Sequence, residues 1–288
     1  LRSEAVLFWS ERRESDVREV ATMWKYTKMV VLVAVTAASY AALIFMFKFL
    51  VIVPGLTEIR PGSVIPVVFG LLFGPAGAWG AAFGNVIGDF SGTLGPGSIG
   101  GFVGNFFYGF LGCKVWGRMG LASSEEDLEI DSRRKALNFA LVSILSSLAC
   151  ADIIAWWLET IRIFPFVAFA PIVLINNLVF CLVIGTPLMR LLYGRLNKWD
   201  LVWFAIMDER DRSAARSPKV GTALIWIAVV GAFIVGVTLS LSVGGAEFSP
   251  PAWVSAESPT PAPGSVTPSV TLGVAPFLIL LVIGCLLV

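Results

Sequence analysis

Histidine is absent from all 288 residues of this chain. That excludes His-based catalytic triads, His metal sites and His proton relays. The dipeptide Gly-Lys is also missing, so no Walker A loop exists and the chain does not hydrolyse ATP with a P-loop of its own. Its four cysteines, Cys113, Cys150, Cys181 and Cys285, stand in apolar runs without CxxC spacing. They read as small buried hydrophobes rather than a disulfide or zinc framework. No metal and no cofactor is expected. Charge is scarce too. Only 14% of residues are charged, where a soluble domain carries roughly a quarter. With 57% hydrophobic residues and a mean hydropathy of +0.83, the composition is that of an all-α integral membrane protein.

Long apolar runs at Met29–Val53, Ser98–Trp116, Ala136–Leu158, Phe166–Met189, Val220–Val243 and Thr271–Val288 have the length needed to cross about 30 Å of hydrocarbon. Val64–Phe90 is ambiguous, because Gly74-Pro75 interrupts it. Loop charge resolves the ambiguity. Lys and Arg cluster before Met29 (among them Arg12, Arg13, Lys25 and Lys28), around 114–135, and in 190–219, while the alternate loops hold only Arg60 and Arg162. The positive-inside rule places all three clusters in the cytoplasm. That is possible only if Val64–Phe90 crosses twice, or dips in and returns, with an inner turn at Gly74-Pro75. Proline supplies no N–H and pushes the residue before it out of the helical region. The expected divisions are a charged cytoplasmic segment (1–28), a six-helix membrane domain (29–190), a basic cytoplasmic loop (191–219), a seventh span (220–243), a disordered Pro/Ser/Thr-rich outer linker (244–270) and an eighth span (271–288). The chain begins at Leu1, as a trimmed or partial chain would, and the segment before Met29 lacks the apolar stretch of a cleavable signal peptide.

With that orientation, the intramembrane polar groups fall at similar depths. Asn85 and Asp89, Asn105, Asp152, and Asn176 with Asn177 come from separate helices, and all lie in the outer half. Tyr108 shares a helix with Asn105, Trp156 and Glu159 cap the same level, and the loop after the first span adds Glu58 and Arg60. Intramembrane ionisable groups are costly and usually face a bundle interior. Polar residues confined to one half describe a pocket open to the outside rather than a through-pore, and such a pocket suits a small molecule. Simpler roles compete for each residue. The asparagines can act as interhelical glue, the tryptophans as an interfacial belt, and Glu58 with Arg60 as a weak surface ion pair. Lys48 is expected to snorkel outward. In the first span Ala34, Ala38 and Ala42 recur every four residues, as do Ala37 and Ala41, a spacing that admits a second helix backbone at close range.

The stretch "PGLTEIRPGSVIPVVFGLLFGPAGAWGAAFGNVIGDFSGTLGPGSIGGFVGNFFYGF" resembles the substrate-binding S components of energy-coupling factor (ECF) transporters. It shares with them an apolar segment ending in Phe-Gly-Pro, a Gly/Ala-rich helix closed by an Asp, and a Gly-rich outer loop. The resemblance covers about Met29–Arg190. It implies a six-helix S-component-like bundle whose second and third helices are short, here extended by two further transmembrane helices. It also implies a multi-pass, N-in protein of the cell membrane that binds a vitamin or related micronutrient on its outer face. The ligand would then be held by Glu58, Arg60, Asn85, Asp89, Asn105, Tyr108, Asp152, Trp156 and Asn176. Ala34, Ala38 and Ala42 would pack on a coupling transmembrane subunit driven by two cytoplasmic ATPase subunits. No catalytic residue and no nucleic-acid partner is implied. Leu191–Val288 departs from the pattern, because such chains usually end soon after the sixth helix.

Two other classes compete. A DedA/VTT-like protein of lipid or polyprenyl-carrier translocation shares Gly-broken apolar segments, but its Gly-Arg dipeptide has a counterpart only at Gly117-Arg118, one span too late. An intramembrane aspartyl hydrolase would need Asp89 and Asp152 to share a proton, and Asp89 lacks the Gly-x-Gly-Asp context of such enzymes.

Overall fold

The computed structural model describes residues 18–213, 215–242 and 268–288. Residues 244–267 of the linker expected at 244–270 and most of the N-terminal charged segment lie outside the described residues, while the last three linker positions, 268–270, already belong to the final helix. The architecture is all-α, and five helical stretches are long and apolar enough to cross a membrane: Thr27–Phe47, Arg133–Thr160, Phe166–Ile206, Pro218–Leu241 and Val270–Leu287. In chain order the helices are α1 (Arg18–Thr22), α2 (Thr27–Phe47), α3 (Val64–Phe73), α4 (Pro75–Asp89), α5 (Gly97–Val115), α6 (Arg133–Thr160), α7 (Phe166–Phe180), α8 (Thr186–Lys198), α9 (Trp203–Ile206), α10 (Pro218–Ser242) and α11 (Pro268–Leu287).

The first span stops short of Val53. Helix α2 ends at Phe47, and Val51–Val53 (β1) pairs antiparallel with Thr57–Glu58 (β2). Three consecutive β-branched residues followed by Pro54-Gly55 favour a hairpin over a continued helix. Leu56 N donates to Val53 O at 3.0 Å across the turn, where Gly55 takes φ +72°. The helix that was expected to reach Val53 therefore yields a short ribbon over one end of the bundle.

The break in Val64–Phe90 falls where loop charge put it. Helix α3 ends at Phe73, Gly74 adopts φ +55° and ψ −128°, and Pro75 opens α4 at its first turn. That backbone shape is open to glycine and strained for any L side chain. Every residue of α3 is buried, so this ten-residue helix is enclosed by its neighbours rather than laid against lipid. Its closest approach is to α5, where a Cβ added to Gly70 would sit 2.0 Å from the Gly109 carbonyl oxygen. Only a glycine pair lets the two backbones come so near.

Helix α7 also runs on beyond expectation. A π-helical turn at Cys181–Gly185 joins it to α8, and the helix continues to Lys198. Pro187 in the first turn of α8 lacks the N–H that a regular ladder would use there. The two C-terminal helices α10 and α11 pack on each other and against α6 and α7. Glycines seat this pair closely; a Cβ on Gly221 would meet Val288 at 2.4 Å.

The end of the bundle remote from the β-hairpin is closed by a polar clasp. Lys114 Nζ of α5 pairs with Glu19 Oε1 of α1 at 2.5 Å, and the backbone N–H and hydroxyl of Ser213 both donate to Glu19 Oε2. Beside it Tyr26 Oη donates to Asp211 Oδ2 at 2.7 Å. This hydrogen bond, ahead of nearby cations, holds the Asp211 carboxyl below its ordinary range. The segment leading into α10 is thereby stitched to the N-terminal end of the bundle.

If Gly74 is required for the bend, Gly74→Ala places a Cβ 2.6 Å from the Trp203 ring in a disfavoured conformation. The variant should lose at least ~1 kcal/mol of stability. Gly194→Ala is the control, since it lies in α8 with open space around it, and it should melt at or slightly above wild type. Thermal unfolding in detergent measures both.

Candidate functional site

The ends of α2, α4 and α6, the starts of α5 and α7, and the β-hairpin meet at one end of the bundle. They enclose a cavity of about 580 Å³, counted out to its open mouth. Of that space about 50 Å³ is open to the centre of a water-sized sphere. Arg60, Asn85, Asp89, Asn105 and Asn176 form a polar wall, while Leu56, Ile154, Leu158, Phe169 and Val173 form an apolar one.

Arg60 organises the polar wall. Its Nε donates to Glu58 Oε1 at 2.7 Å, its Nη1 donates to Asn85 Oδ1 at 2.8 Å, and its Nη2 stands 3.6 Å from Asp89 Oδ1. Its backbone N–H donates to Asn176 Oδ1 at 3.1 Å, and Asn176 Nδ2 returns a bond to the Glu58 carbonyl at 2.9 Å. One residue therefore ties the hairpin to α4 and α7. Burial opposes the guanidinium charge, but the Glu58 carboxylate, with further help from Asp89, raises the Arg60 pKa beyond its ordinary value.

The competing reading of Glu58 and Arg60 as a weak surface pair does not hold, because the pair is buried, with Glu58 only 1% exposed. Lys48 does not snorkel away. It pairs with Glu58 Oε2 at 3.3 Å and donates to Thr93 Oγ1 at 2.7 Å. An unbalanced carboxylate at Glu58 would be costly, and the end of α2 puts Lys48 within reach of it. Lys48, Glu58, Arg60 and Asp89 thus form a quartet of two cations and two anions. Asp89 takes further bonds from Asn85 Nδ2 at 3.1 Å and Thr93 Oγ1 at 3.2 Å. Deeper in the cavity Tyr40 Oη donates to Asn105 Oδ1 at 2.9 Å, and Asn105 Nδ2 donates to the Gly101 carbonyl.

Of the residues singled out from sequence, Arg60, Asn85, Asp89, Asn105 and Asn176 line the cavity, and Glu58 stands directly behind Arg60. Three others are not brought to it. Tyr108 is fully buried, its hydroxyl 3.3 Å from the Asn177 carbonyl and 3.0 Å from Cys181 Sγ. Asp152 sits two positions from both Cys150 and Ile154, which do face the cavity. At ~100° per residue it points to the far side of α6, and among the described residues neither carboxylate oxygen has a hydrogen-bond partner. Trp156, one turn further along that side, donates its Nε1 to the Thr271 carbonyl of α11 at 3.0 Å. Sharing depth did not mean sharing a face. The same geometry separates Asp89 from Asp152, so the carboxylate pair needed by an aspartyl hydrolase does not form.

Sequence reading missed Tyr40, Lys48, Thr93, Ser98 and Phe169 as parts of the site. For Tyr40 and Lys48 a signal existed: Tyr40 lies within the alanine ladder of α2 and Lys48 follows it, toward the end that carries the other polar groups.

A polar-and-apolar cavity buried at one end of a helical membrane bundle, over a broken helix pair, defines a membrane-embedded small-molecule binding protein. A family model described as QueT transporter matches residues 30–194, more than half of the chain. The chain belongs to the QueT transporter family, a family of the ECF S-component type. It is a multi-pass membrane transporter component for a micronutrient. Comparison with curated proteins and with solved structures gives no match. The matched region contains the whole cavity and stops before α10 and α11.

The quartet predicts that Glu58→Gln, which strands Lys48 and Arg60 beside each other, costs roughly 3 kcal/mol. A lower melting temperature measures this. Restoring balance by adding Lys48→Met to Glu58→Gln should recover part of the loss.

Proposed function

We propose that this chain is the S subunit that captures a queuosine precursor from outside the cell and delivers it for ATP-driven uptake by partner subunits. The observation that carries the proposal is the cavity, which lies inside the family-matched region and combines a charged, amide-rich wall with an apolar one. Queuosine is built on a 7-deazaguanine ring, so its precursors are flat bases with a polar edge and two apolar faces. Phe169, Ile154 and Val173 offer a surface for such a face, and the Arg60–Asp89 wall offers partners for the edge.

Orientation follows from charge. The cavity sits at the end opposite Lys114, Arg118 and Arg133 to Lys135, so a cytoplasmic basic end turns the cavity mouth outward. The partner surface follows from α2. Ala34, Ala38 and Ala42 are exposed, whereas Ala37 and Ala41 are buried within the bundle. One alanine row serves this chain's own packing, and the other is left for a second helix at close range. Helices α10 and α11 pack on α6 and α7 while α2 packs on α4, so the extra hairpin leaves that row accessible to a coupling subunit. Such a subunit and its two ATPases would supply the P-loops this chain lacks.

Two measurements test the reading. Protein purified in detergent should carry or bind a 7-deazaguanine-type base with nanomolar affinity. A mass-spectrometric survey without any such base, together with no melting shift on its addition, would refute the assignment. Ala38→Trp should prevent co-purification with a coupling module while ligand binding persists, and loss of both would assign the alanine row to folding alone.

A further inference from the structure

We infer that Asp89 is the specificity-determining residue of the cavity, reading an N–H/NH₂ edge such as the 2-aminopyrimidinone edge of guanine-type bases. This inference rests on the proposed function and sharpens it.

Most polar groups in the wall are already committed to one another. Asn105 spends its carbonyl on Tyr40 and its amide on Gly101. Asn176 is used at both ends by the Glu58–Arg60 segment. Asn85 accepts from Arg60 and donates to Asp89. Arg60 gives its Nε and Nη1 to Glu58 and Asn85. The amides are therefore held in place by one another and by the backbone, each keeping one N–H to spare.

Asp89 differs. Its oxygens accept one bond each from Asn85 and Thr93, the Ser98 hydroxyl also reaches the carboxylate, and its approach to Arg60 is loose at 3.6 Å. A carboxylate offers about four lone-pair sites, so acceptor capacity remains on a charged group that lines the cavity. The charge of Arg60 is already met at 2.7 Å by Glu58, which lies behind the wall. Lys48 joins Glu58 at 3.3 Å and donates to Thr93. What the quartet presents to the cavity is the Asp89 carboxylate beside the Nη2 end of Arg60, with the other charges already paired at Glu58. Its chemical complement is a planar ligand edge with two adjacent N–H donors, bound by two parallel charge-assisted hydrogen bonds. Thr93 and Asn85 fix the plane of the carboxylate from either side, and the apolar wall receives the ring face.

The test uses the full chain in detergent and isothermal titration with three probes: 7-deazaguanine, 7-deazahypoxanthine (which lacks the 2-amino group) and 1-methyl-7-deazaguanine (which lacks the ring N–H). Wild type should bind each defective probe on the order of ten- to hundredfold more weakly than 7-deazaguanine. Asp89→Asn, checked for folding by its melting curve, should lose affinity for 7-deazaguanine and bind the three probes within a few-fold of one another. If this variant does not fold, the wild-type series alone decides. Equal binding of the three probes by wild type, or discrimination retained in Asp89→Asn, overturns the role of Asp89 while leaving the proposed function standing. Failure of every 7-deazapurine to bind refutes the proposed function and this inference with it.

Discussion

The buried charge of Arg60 is the constraint on which the binding end of the bundle depends. A guanidinium taken out of water has to be met by carboxylates and amide oxygens at hydrogen-bond range, and here those partners come from different elements. Glu58 arrives on the β-hairpin, Asn85 and Asp89 on α4, and Asn176 on α7. Satisfying one cation therefore sets the relative position of a loop and two helices. Lys48 restores charge balance from the end of α2. The apolar half of the cavity then follows from where α6 and α7 must lie to bring Asn176 to the Arg60 backbone.

The break at Gly74-Pro75 makes this possible. Without it α4 would run in the opposite sense, and Asn85 and Asp89 would lie at the wrong end. The bend is stabilised by burial on all sides of α3 and by the glycine contact between α3 and α5, so a helix too short to span a bilayer alone is carried by its neighbours. At the other end the Glu19–Lys114 clasp and Ser213 tie the entry to α10 back to the bundle. Near the cavity Trp156 and Thr160 both reach Thr271 of α11. The C-terminal pair is thus fastened to the bundle at both ends.

Composition and loop charge were enough to read the all-α membrane class and the position of the bend, because both rest on solvation costs that are strong and local. The polar wall was legible in part: depth along each helix is encoded by residue count, so Asn85, Asp89, Asn105 and Asn176 could be placed at one level. Rotation about the helix axis was not legible. Asp152 and Trp156 share that level but point away from the cavity, Trp156 onto α11, because the faces of α6 are set by packing against helices whose own rotation the sequence does not state. Lys48 was misplaced for a related reason. It looks like a snorkelling charge in a linear chain, and only the fold of Val51–Glu58 back over the bundle brings Glu58 to it.

The most direct measurement of this account is ligand affinity in Arg60→Lys, which keeps the positive charge but removes the planar fork that bridges Glu58, Asn85 and Asp89. The account predicts a folded protein with a lower melting temperature and at least a tenfold loss of affinity for 7-deazaguanine, because a single ammonium cannot hold the three partners in register. Wild-type affinity in a folded Arg60→Lys protein would contradict it, and would show that the cavity is shaped by helix packing without the ionic hub.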